Sequence, residues 1–522
     1  MAEPLVLVFD VGTQSTRAFL FNKKGEIVCM HKYETEPFFA VKVKYAEKNT
    51  EDYWTAVVNA SQGLKEKAGD LWDDIIAMSI TSIRCTYAFL DENCNPVRPA
   101  ITWLDQRLAK PKQKFPLINT ILFKISGMYN PAIKQRRMAP ATWMKENQPE
   151  IWQKTKYFTL VSAYLNYKLS GRLCDCTASQ ASRLPYNYRK ERWQKPNELT
   201  CTVYNVEVDK LCELVKPGEI IGKISKEVSE ITGIPEGIDI IASGSDKACE
   251  TLGTGALRSD TASISFGTTA TLQITTKKYV EPQKYMPAYN SVVRGYFNPE
   301  IQIFRGFWMV TWFKKQFGQE EVKLAEDIGV SAEQLLDKNL LDIPAGSNGL
   351  MLQPYWAPGL KIPEAKGTII GFNDCHTKAH VYKSIVEGIN YALYDGLVYL
   401  EKKSRQKITK VSVSGGGSQS DTICQITADM FGRPVYRVQT FETSGLGAAM
   451  IAFVAKGEFA SYEECNKAMV HFKDEFLPNL DNYRIYKNLY DKVYTSIYPQ
   501  LQPLYLKLYD IVNEETNEIQ RI

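Results

Sequence analysis

Short apolar runs that end in polar turns recur along the chain and predict buried strands. These runs are Leu5–Phe9, Ala18–Phe21, Ile27–Tyr33, Ile75–Ile83, Tyr87–Leu90, Pro99–Arg107, Ile238–Ala242, Ala262–Phe266, Ala270–Ile274 and Val411–Ser414. Apolar residues at helical spacing predict helices at Asp52–Ala68, Pro140–Asn147, Ser162–Leu169, Val381–Leu400, Thr422–Phe431 and Thr443–Ala455. Tyrosines at the same spacing between Tyr483 and Tyr498 predict a packed helix face, and the polar stretch Tyr186–Pro196 predicts a loop. The chain therefore mixes strands and helices along its length.

Two of the predicted hairpins carry a glycine–threonine turn. The strand Leu5–Phe9 leads towards Gly12-Thr13, and the strand Ala262–Phe266 leads into Gly267-Thr268-Thr269. Each turn is followed by a returning strand. Because the two hairpins lie about half a chain apart, they suggest a duplicated fold. A third glycine turn, Gly415-Gly416-Gly417, also follows a predicted strand.

The first turn contains the residue types that bind a phosphate together with its metal ion. Gly12 can take a positive φ angle, so that successive backbone N–H groups point at one anion. Thr13, Ser15 and Thr16 add hydroxyl donors, and Asp10 could hold a hydrated Mg²⁺ beside the anion. Ordinary turns use the same residues, so this stretch alone leaves both interpretations open.

The composition restricts the classes of protein to consider. With 522 residues, the chain is too long for one core and suits two large domains or several small ones. The net charge of +4 and the absence of a long Lys/Arg run argue against nucleic-acid and membrane partners. No secretory signal or membrane-length apolar run is visible. The 11 scattered cysteines lack disulfide-like or zinc-like spacing, which predicts reduced thiols in the cytoplasm.

A Walker-type phosphate loop and a dinucleotide fingerprint are both missing from the sequence. If ATP is bound, two hairpin turns that face each other across a cleft must hold its phosphates. The motifs around these turns, in their order, resemble the FGGY carbohydrate kinases, within the superfamily of actin, hexokinase and the heat-shock ATPases. They are DVGTQSTR (Asp10–Arg17), SIRCTY (Ser82–Tyr87), WLDQR (Trp103–Arg107), SGSDKACETLGTGA (Ser243–Ala256), ISFGTTA (Ile264–Ala270), the region Gly349–Phe372, the glycine-rich region Ser414–Val435 and ETSGLGAA (Glu442–Ala449).

The resemblance covers roughly Leu5 to Tyr498 and implies a fold. It implies an α/β protein in which two actin-like (ribonuclease H-like) domains flank a deep catalytic cleft. Residues 1–245 are expected to form the first domain and residues 246–512 the second, with a polar tail at 513–522. The sugar is expected at the bottom of the cleft, with ATP spanning it.

The same resemblance implies roles for individual residues. Asp246 is expected to be the general base that takes the proton from the attacking sugar hydroxyl, because a carboxylate is ionised at neutral pH. Asp10 is expected to hold Mg²⁺. The expected ATP contacts are Gly12, Thr13, Gln14, Ser15, Thr16, Arg17, Gly267, Thr268, Thr269, Gly415, Gly416, Gly417, Ser418 and Gln419. The expected substrate contacts are Arg84, Cys85, Trp103, Asp105, Asp246 and Lys247.

Structural explanations exist beside these roles. Asp246 could be a helix N-cap, Arg84 and Asp105 could form an ion pair, and the triple glycine could be a flexible loop. A chaperone-like ATPase of the wider superfamily would not need SIRCTY or WLDQR. A non-catalytic nucleotide-binding regulator of the same fold is disfavoured because both Asp10 and Asp246 are retained.

The sugar-binding half departs from the family pattern at two positions. Lys247 stands where relatives often have Gln, and Cys85 stands where they often have His or Glu. The motif WLDQR is most similar to the ketopentose kinases, which favours a pentulose such as xylulose or ribulose. Cys85 weakens a glycerol or erythritol reading because it removes a hydroxyl acceptor. A sugar acid could pair with Lys247, but a solvent-facing Lys247 is favoured; a homodimer is left open.

Overall fold

Two six-stranded sheets organise the molecule, which the computed structural model describes for residues 3–519 apart from 112–113, 284–285, 339, 341, 358 and 360–361. The strands of the first sheet are β1 (Leu5–Val11), β2 (Ser15–Phe21), β3 (Ile27–Glu34), β4 (Ile75–Ser82), β5 (Ile220–Lys223) and β6 (Asp239–Ser245). Their order is β5-β6-β4-β1-β2-β3. The strand β1 lies parallel to β4 and antiparallel to β2. Its continuous apolar run is what burial on both faces requires.

The second sheet repeats this arrangement. Its strands are β7 (Thr261–Phe266), β8 (Ala270–Ile274), β9 (Glu300–Ile303), β10 (Lys410–Ser414), β11 (Val435–Val438) and β12 (Phe472–Phe476). Their order is β9-β8-β7-β10-β11-β12. The antiparallel pair β7–β8 beside the parallel strand β10 matches the pair β1–β2 beside β4. The duplicated fold that the two glycine–threonine hairpins predicted is therefore confirmed.

Six helices carry most of the packing against these sheets. They are α1 (Thr50–Ala68), α2 (Val161–Ser170), α3 (Asp246–Gly253), α4 (Lys378–Ser404), α5 (Asp421–Phe431) and α6 (Thr443–Ala455). Shorter helices include Leu117–Ile125, Tyr129–Met138, Pro140–Asn147, Pro149–Lys154, Leu199–Tyr204, Lys226–Thr232, Trp308–Phe317, Gln319–Ile328, Ala332–Lys338, Tyr462–Met469 and Leu480–Leu489. Among the described residues, no helix combines the length and apolar composition that crossing a membrane requires.

Helices α3 and α6 pack closely against each other and against the first sheet. A Cβ atom on Gly447 would lie 1.9 Å from the carbonyl oxygen of Cys249, and one on Gly253 would lie 2.0 Å from that of Thr443. Glycine is therefore required at both positions of the contact. Both helices contribute to the core of the first sheet, although they follow it in the chain. The domain boundary at 245/246 stays a prediction.

Several local predictions differ from the structure. Within Pro99–Arg107 only Ala100–Ile101 is a strand, which joins a small sheet with Glu47–Lys48, Tyr87–Leu90 and Tyr157–Leu160. The predicted loop Tyr186–Pro196 contains a short antiparallel pair, Tyr186–Asn187 with Arg192–Trp193. The final helix, Thr495–Ile519, continues into the predicted tail, whose residues 520–522 lie outside the described residues.

The predicted tyrosine face is packed as expected. Tyr486, Tyr490 and Tyr494 are buried in the core of the second sheet. Their rings lie against Tyr391 and Tyr394 of α4. Helical spacing brings these tyrosines onto one side of the helix, so their burial follows from the sequence.

Candidate active site

Asp246 lies where β6 passes into α3. The N-cap of α3 is Ser245, whose side chain accepts a hydrogen bond from the backbone N–H of Ala248, so Asp246 is not the N-cap. The Asp246 carboxylate accepts a hydrogen bond from the backbone N–H of Lys247 at 2.7 Å, and Arg84 Nε lies 3.9 Å away. Burial raises the pKa of Asp246, while Arg84 and Lys247 oppose that rise. The two cations therefore favour the form that can accept a proton.

Arg84, which follows β4, is held by Glu300 of β9. Its two Nη atoms donate to the carboxylate oxygens of Glu300 at 3.0 and 2.9 Å. The Glu300 side chain is 0% exposed, and Gln273 and Gln302 also donate to it. Burial alone would lower the pKa of Arg84, but Glu300 and Asp246 outweigh burial and raise it. This ion pair joins the two sheets beside Asp246.

Sequence reasoning missed Glu300 and the ion pair that it forms. The available signal is a charged residue next to Ile301 and Ile303, since Glu is depleted in strands and is rarely buried without a partner. The partner is 216 positions away in the chain, so no local pattern identifies it. The alternative of an ion pair between Arg84 and Asp105 is wrong.

The Asp105 carboxylate is bonded inside the protein. Its Oδ1 accepts hydrogen bonds from the backbone N–H and Nε of Arg107 at 2.9 and 2.8 Å. Its Oδ2 accepts from Arg107 Nη2 and from the backbone N–H of Ala46, both at 2.7 Å. With its side chain only 4% exposed, Asp105 fixes Arg107 and the loop at Ala46, and its contact with a substrate stays a prediction.

Trp103 and Cys85 are tied to different parts of the site. The indole N–H of Trp103 donates to Oγ1 of Thr13 at 2.9 Å, which joins the predicted sugar motif to the first glycine turn. The Cys85 thiol donates to the carbonyl of Ala181 at 3.0 Å. Cys85 also has a φ angle of 55°, which is uncommon for a residue with a side chain and marks local strain.

The first glycine turn is tighter than the sequence predicted. The backbone N–H of Gly12 donates to the carbonyl of Ser15 at 2.9 Å. Gly12 does not adopt the positive φ expected of it; a Cβ atom there would lie 3.1 Å from that same carbonyl oxygen. Ser15 and Thr16 are buried at the start of β2, so the accessible tip consists of Thr13 and Gln14.

Asp10 lies at the end of β1 among more carboxylates than cations. Arg17 Nη1 is 3.7 Å from Asp10 Oδ2 and 2.6 Å from Glu442 Oε2. Burial raises the pKa of Asp10 to about 7; Arg17 opposes the rise, and Asp246, Glu442 and Glu250 add to it. A divalent cation beside Asp10 would relieve this crowding, so the residues fit a metal ion. No group of three or more His, Cys, Asp or Glu side chains in the described part of the chain could hold one alone.

The second and third glycine turns meet at Phe307. Its backbone N–H donates to the carbonyl of Gly267 at 3.1 Å, while a Cβ atom on Gly417 would lie 2.5 Å from its ring. Gly415 has a φ angle of 79°, which favours glycine. The triple glycine is therefore a packed turn and not the flexible loop of the alternative reading. Thr268, Gly416 and Gln419 are exposed at the turn tips, whereas Ser418 is buried.

Lys247 also differs from expectation. The solvent-facing orientation favoured from the sequence is wrong: Nζ donates to Glu250 Oε2 at 2.5 Å and to Ser265 Oγ at 2.7 Å. Burial alone would lower the pKa of Lys247, but the carboxylates of Glu250 and Asp246 outweigh burial and raise it. The ammonium is therefore charged and already paired.

These features define a two-domain α/β protein with glycine turns and a half-buried aspartate beside the ion pair that joins its sheets. Residues 5–253 match the N-terminal domain of the FGGY family of carbohydrate kinases, and residues 262–456 match its C-terminal domain. The chain belongs to this family.

Individual relatives agree with this assignment. A xylulose kinase of Lactococcus lactis is 28% identical over 492 residues, which cover 93% of this chain and 95% of the relative. Two solved structures from Lactobacillus acidophilus, a ligand-bound xylulose kinase and a gluconate kinase, each have a TM-score of 0.81. Their sequence identities are 22% and 21%, and each comparison covers 97% of this chain and 100% of the other. The chain therefore has the α/β fold of two actin-like domains.

Proposed function

We propose that the protein transfers the γ-phosphoryl group of ATP to a hydroxyl of a small sugar or polyol, with Asp246 as general base. The observation that carries this proposal is the position of Asp246. It lies at the end of β6, close to Arg84, and Arg84 is fixed by the second sheet through Glu300. A carboxylate that lies beside Arg84 and is partly open to the cleft is suited to accept the proton of an attacking hydroxyl.

The remaining residues would bind and orient the nucleotide. Backbone N–H groups and hydroxyls at Thr13, Gln14 and Gly267-Thr268-Thr269 are exposed or half-buried at two turn tips and would hold the phosphates. Asp10 would hold Mg²⁺, which when bound neutralises charge on the phosphates. Arg17 stays paired with Glu442, so its role is to orient the first hairpin. For the adenosine we propose the glycine turn Gly415-Gly416-Gly417 and the 280 Å³ cavity bordered by Thr422 and Gln425 of α5.

We propose that the two halves close when the sugar and nucleotide bind. One glycine–threonine turn belongs to each sheet, and both must reach the same phosphates. Closure would exclude water and limit the hydrolysis of ATP. Small-angle scattering is expected to give a smaller radius of gyration with both a substrate sugar and a non-hydrolysable ATP analogue than with either alone. An unchanged radius, with both ligands shown to be bound by calorimetry, would contradict closure.

For the acceptor we favour a pentulose such as xylulose or ribulose. The relatives named xylulose kinase support this choice, together with WLDQR at Trp103–Arg107. A sugar acid was considered because an unpaired Lys247 could bind its carboxylate. Lys247 is paired with Glu250, so this reason no longer holds. The Cys85 thiol already donates to the backbone carbonyl of Ala181, which weighs against glycerol and erythritol.

A substrate panel tests the proposed function directly. ADP release and kcat/KM are measured with xylulose, ribulose, glycerol, erythritol and gluconate, and without sugar. We expect a clear preference for one of the two pentuloses, because WLDQR is most similar to the ketopentose kinases and several relatives are named xylulose kinase. Preference for glycerol or gluconate would refute the pentulose assignment but leave the kinase intact. ADP release that no sugar stimulates would favour a nucleotide-binding protein without sugar kinase activity.

Location and assembly are the last parts of the proposal. All 11 cysteines are free, which supports a reducing compartment such as the cytoplasm. A homodimer stays a prediction, and analytical ultracentrifugation would test it.

A further inference from the structure

Helix α3, which carries Asp246, also contains an ion pair that has no role in the proposed phosphoryl transfer so far. Lys247 and Glu250 are one turn apart on α3, and Nζ lies 2.5 Å from Oε2. The side chains are 22% and 8% exposed, so the pair is largely removed from water. Burial alone would raise the pKa of Glu250, but Lys247 outweighs burial and lowers it, so both partners are charged.

The pair is connected to the ends of two adjacent strands. Lys247 Nζ donates to Ser265 Oγ of β7 at 2.7 Å, and Ser414 Oγ of β10 donates to Glu250 Oε1 at 2.5 Å. Ser265 and Ser414 face each other in the register of these parallel strands. Gly267 follows Ser265 by two residues, and Gly415 follows Ser414 directly. The pair therefore links the helix of the proposed base to the strands that lead into both nucleotide turns.

The pair also belongs to the electrostatic surroundings of Asp246. The groups that act on the Asp246 carboxyl are Arg84 from the loop after β4, Lys247 and Glu250 from α3, and Asp10 from β1. Arg84 and Lys247 favour the ionised carboxylate, and the two carboxylates oppose it. Glu300 occupies both Nη atoms of Arg84. Lys247 is the second cation that acts on the Asp246 carboxyl group.

We propose that Lys247 and Glu250 form a positioning pair for phosphoryl transfer. The two side chains together hold α3, and with it Asp246, in register with the strands that lead into the turns proposed to bind the nucleotide. The proposal rests on the proposed kinase function and deepens it. It replaces the idea that Lys247 binds a substrate carboxylate, because Glu250 and Ser265 already use the ammonium.

Replacing Lys247 tests the link between α3 and the nucleotide turns. In Lys247→Gln the KM for ATP is expected to rise roughly tenfold, because the bond from the ammonium to Ser265 is lost. Lys247→Arg keeps a charged donor and is expected to restore the KM for ATP.

The partner variants test whether the two residues act as a pair. Glu250→Gln leaves a largely buried ammonium without a carboxylate, and Lys247→Gln leaves a buried carboxylate without its cation, so we expect each single variant to lose kcat/KM. The double variant is expected to recover part of that loss, since it removes the unpaired charge. The matched control is Lys487→Gln, which lies away from α3 and breaks an exposed ion pair with Asp491, one turn further along the chain. Its kcat/KM should stay within twofold of the wild-type value.

The outcomes separate this inference from the proposed function. A Lys247→Gln protein with an unchanged KM for ATP would overturn the positioning role. A double variant no better than Glu250→Gln would overturn the pairing. If either variant fails to fold, Ser265→Ala and Ser414→Ala test the link to the turns, with a raised KM for ATP expected and an unaltered KM overturning the link. If no sugar stimulates ADP release by the wild-type protein, the proposed kinase function is wrong. ATP binding by the same variants, measured by thermal shift, still tests the link between α3 and the nucleotide turns.

Discussion

Asp246→Asn is expected to lower kcat for sugar phosphorylation by about 10²–10⁴-fold and to leave ATP binding nearly unchanged. The amide has the same shape as the carboxyl group but cannot take the proton of the attacking hydroxyl. The N-cap of α3 is Ser245, so the helix itself does not depend on the carboxylate. Steady-state kinetics with the preferred sugar and calorimetry with an ATP analogue measure the two effects separately.

A control variant and a contradicting result complete this experiment. Asp481→Asn changes an exposed aspartate in the first turn of another helix and should leave kcat within twofold of wild type. If Asp246→Asn keeps more than half of the wild-type kcat, Asp246 is not the general base. The group with the next claim would then be Asp10, whose pKa burial raises to about 7.

The parts of the fold that could be predicted are those with a local signal. The run LVLVF followed by a glycine–threonine turn identified the hairpin β1–β2, and the same pattern at Ala262–Phe266 identified its counterpart. Continuous apolar runs are typical of strands that are buried on both faces. For Gly12 the expected positive φ angle is wrong, and a Cβ atom there would make a tight contact of 3.1 Å with the carbonyl oxygen of Ser15.

The partners of charged side chains could not be predicted in the same way. Asp105 has the sequence context of a substrate contact, but Arg107 and the backbone of Ala46, 59 positions away, take its oxygens. The partner of Lys247 lies only one turn away, at Glu250, but no helix was predicted from the sequence at Asp246–Gly253, so their spacing of three gave no signal. The pair between Arg84 and Glu300 depends on how two sheets meet, which no local pattern encodes.

That pair leads to the second large effect that we expect. Glu300 is fully enclosed, and Arg84 is the cation that it neutralises. A buried ion pair that loses one partner leaves an uncompensated charge, whereas a pair replaced as a whole leaves none. Arg84 also lies 3.9 Å from Asp246, so its position affects the proposed base.

Glu300→Gln is therefore expected to lower the free energy of unfolding by about 3–5 kcal/mol and to reduce kcat/KM for the sugar, because Arg84 loses its anchor. The double variant Arg84→Gln/Glu300→Gln should recover much of the stability but none of the activity. Glu213→Gln is the matched control: it breaks an equally bidentate pair with Arg172 that is exposed, so its cost should stay below about 1 kcal/mol. Urea unfolding and steady-state kinetics measure both effects, and a Glu300→Gln protein as stable and active as the control would show that the pair between the sheets carries neither role.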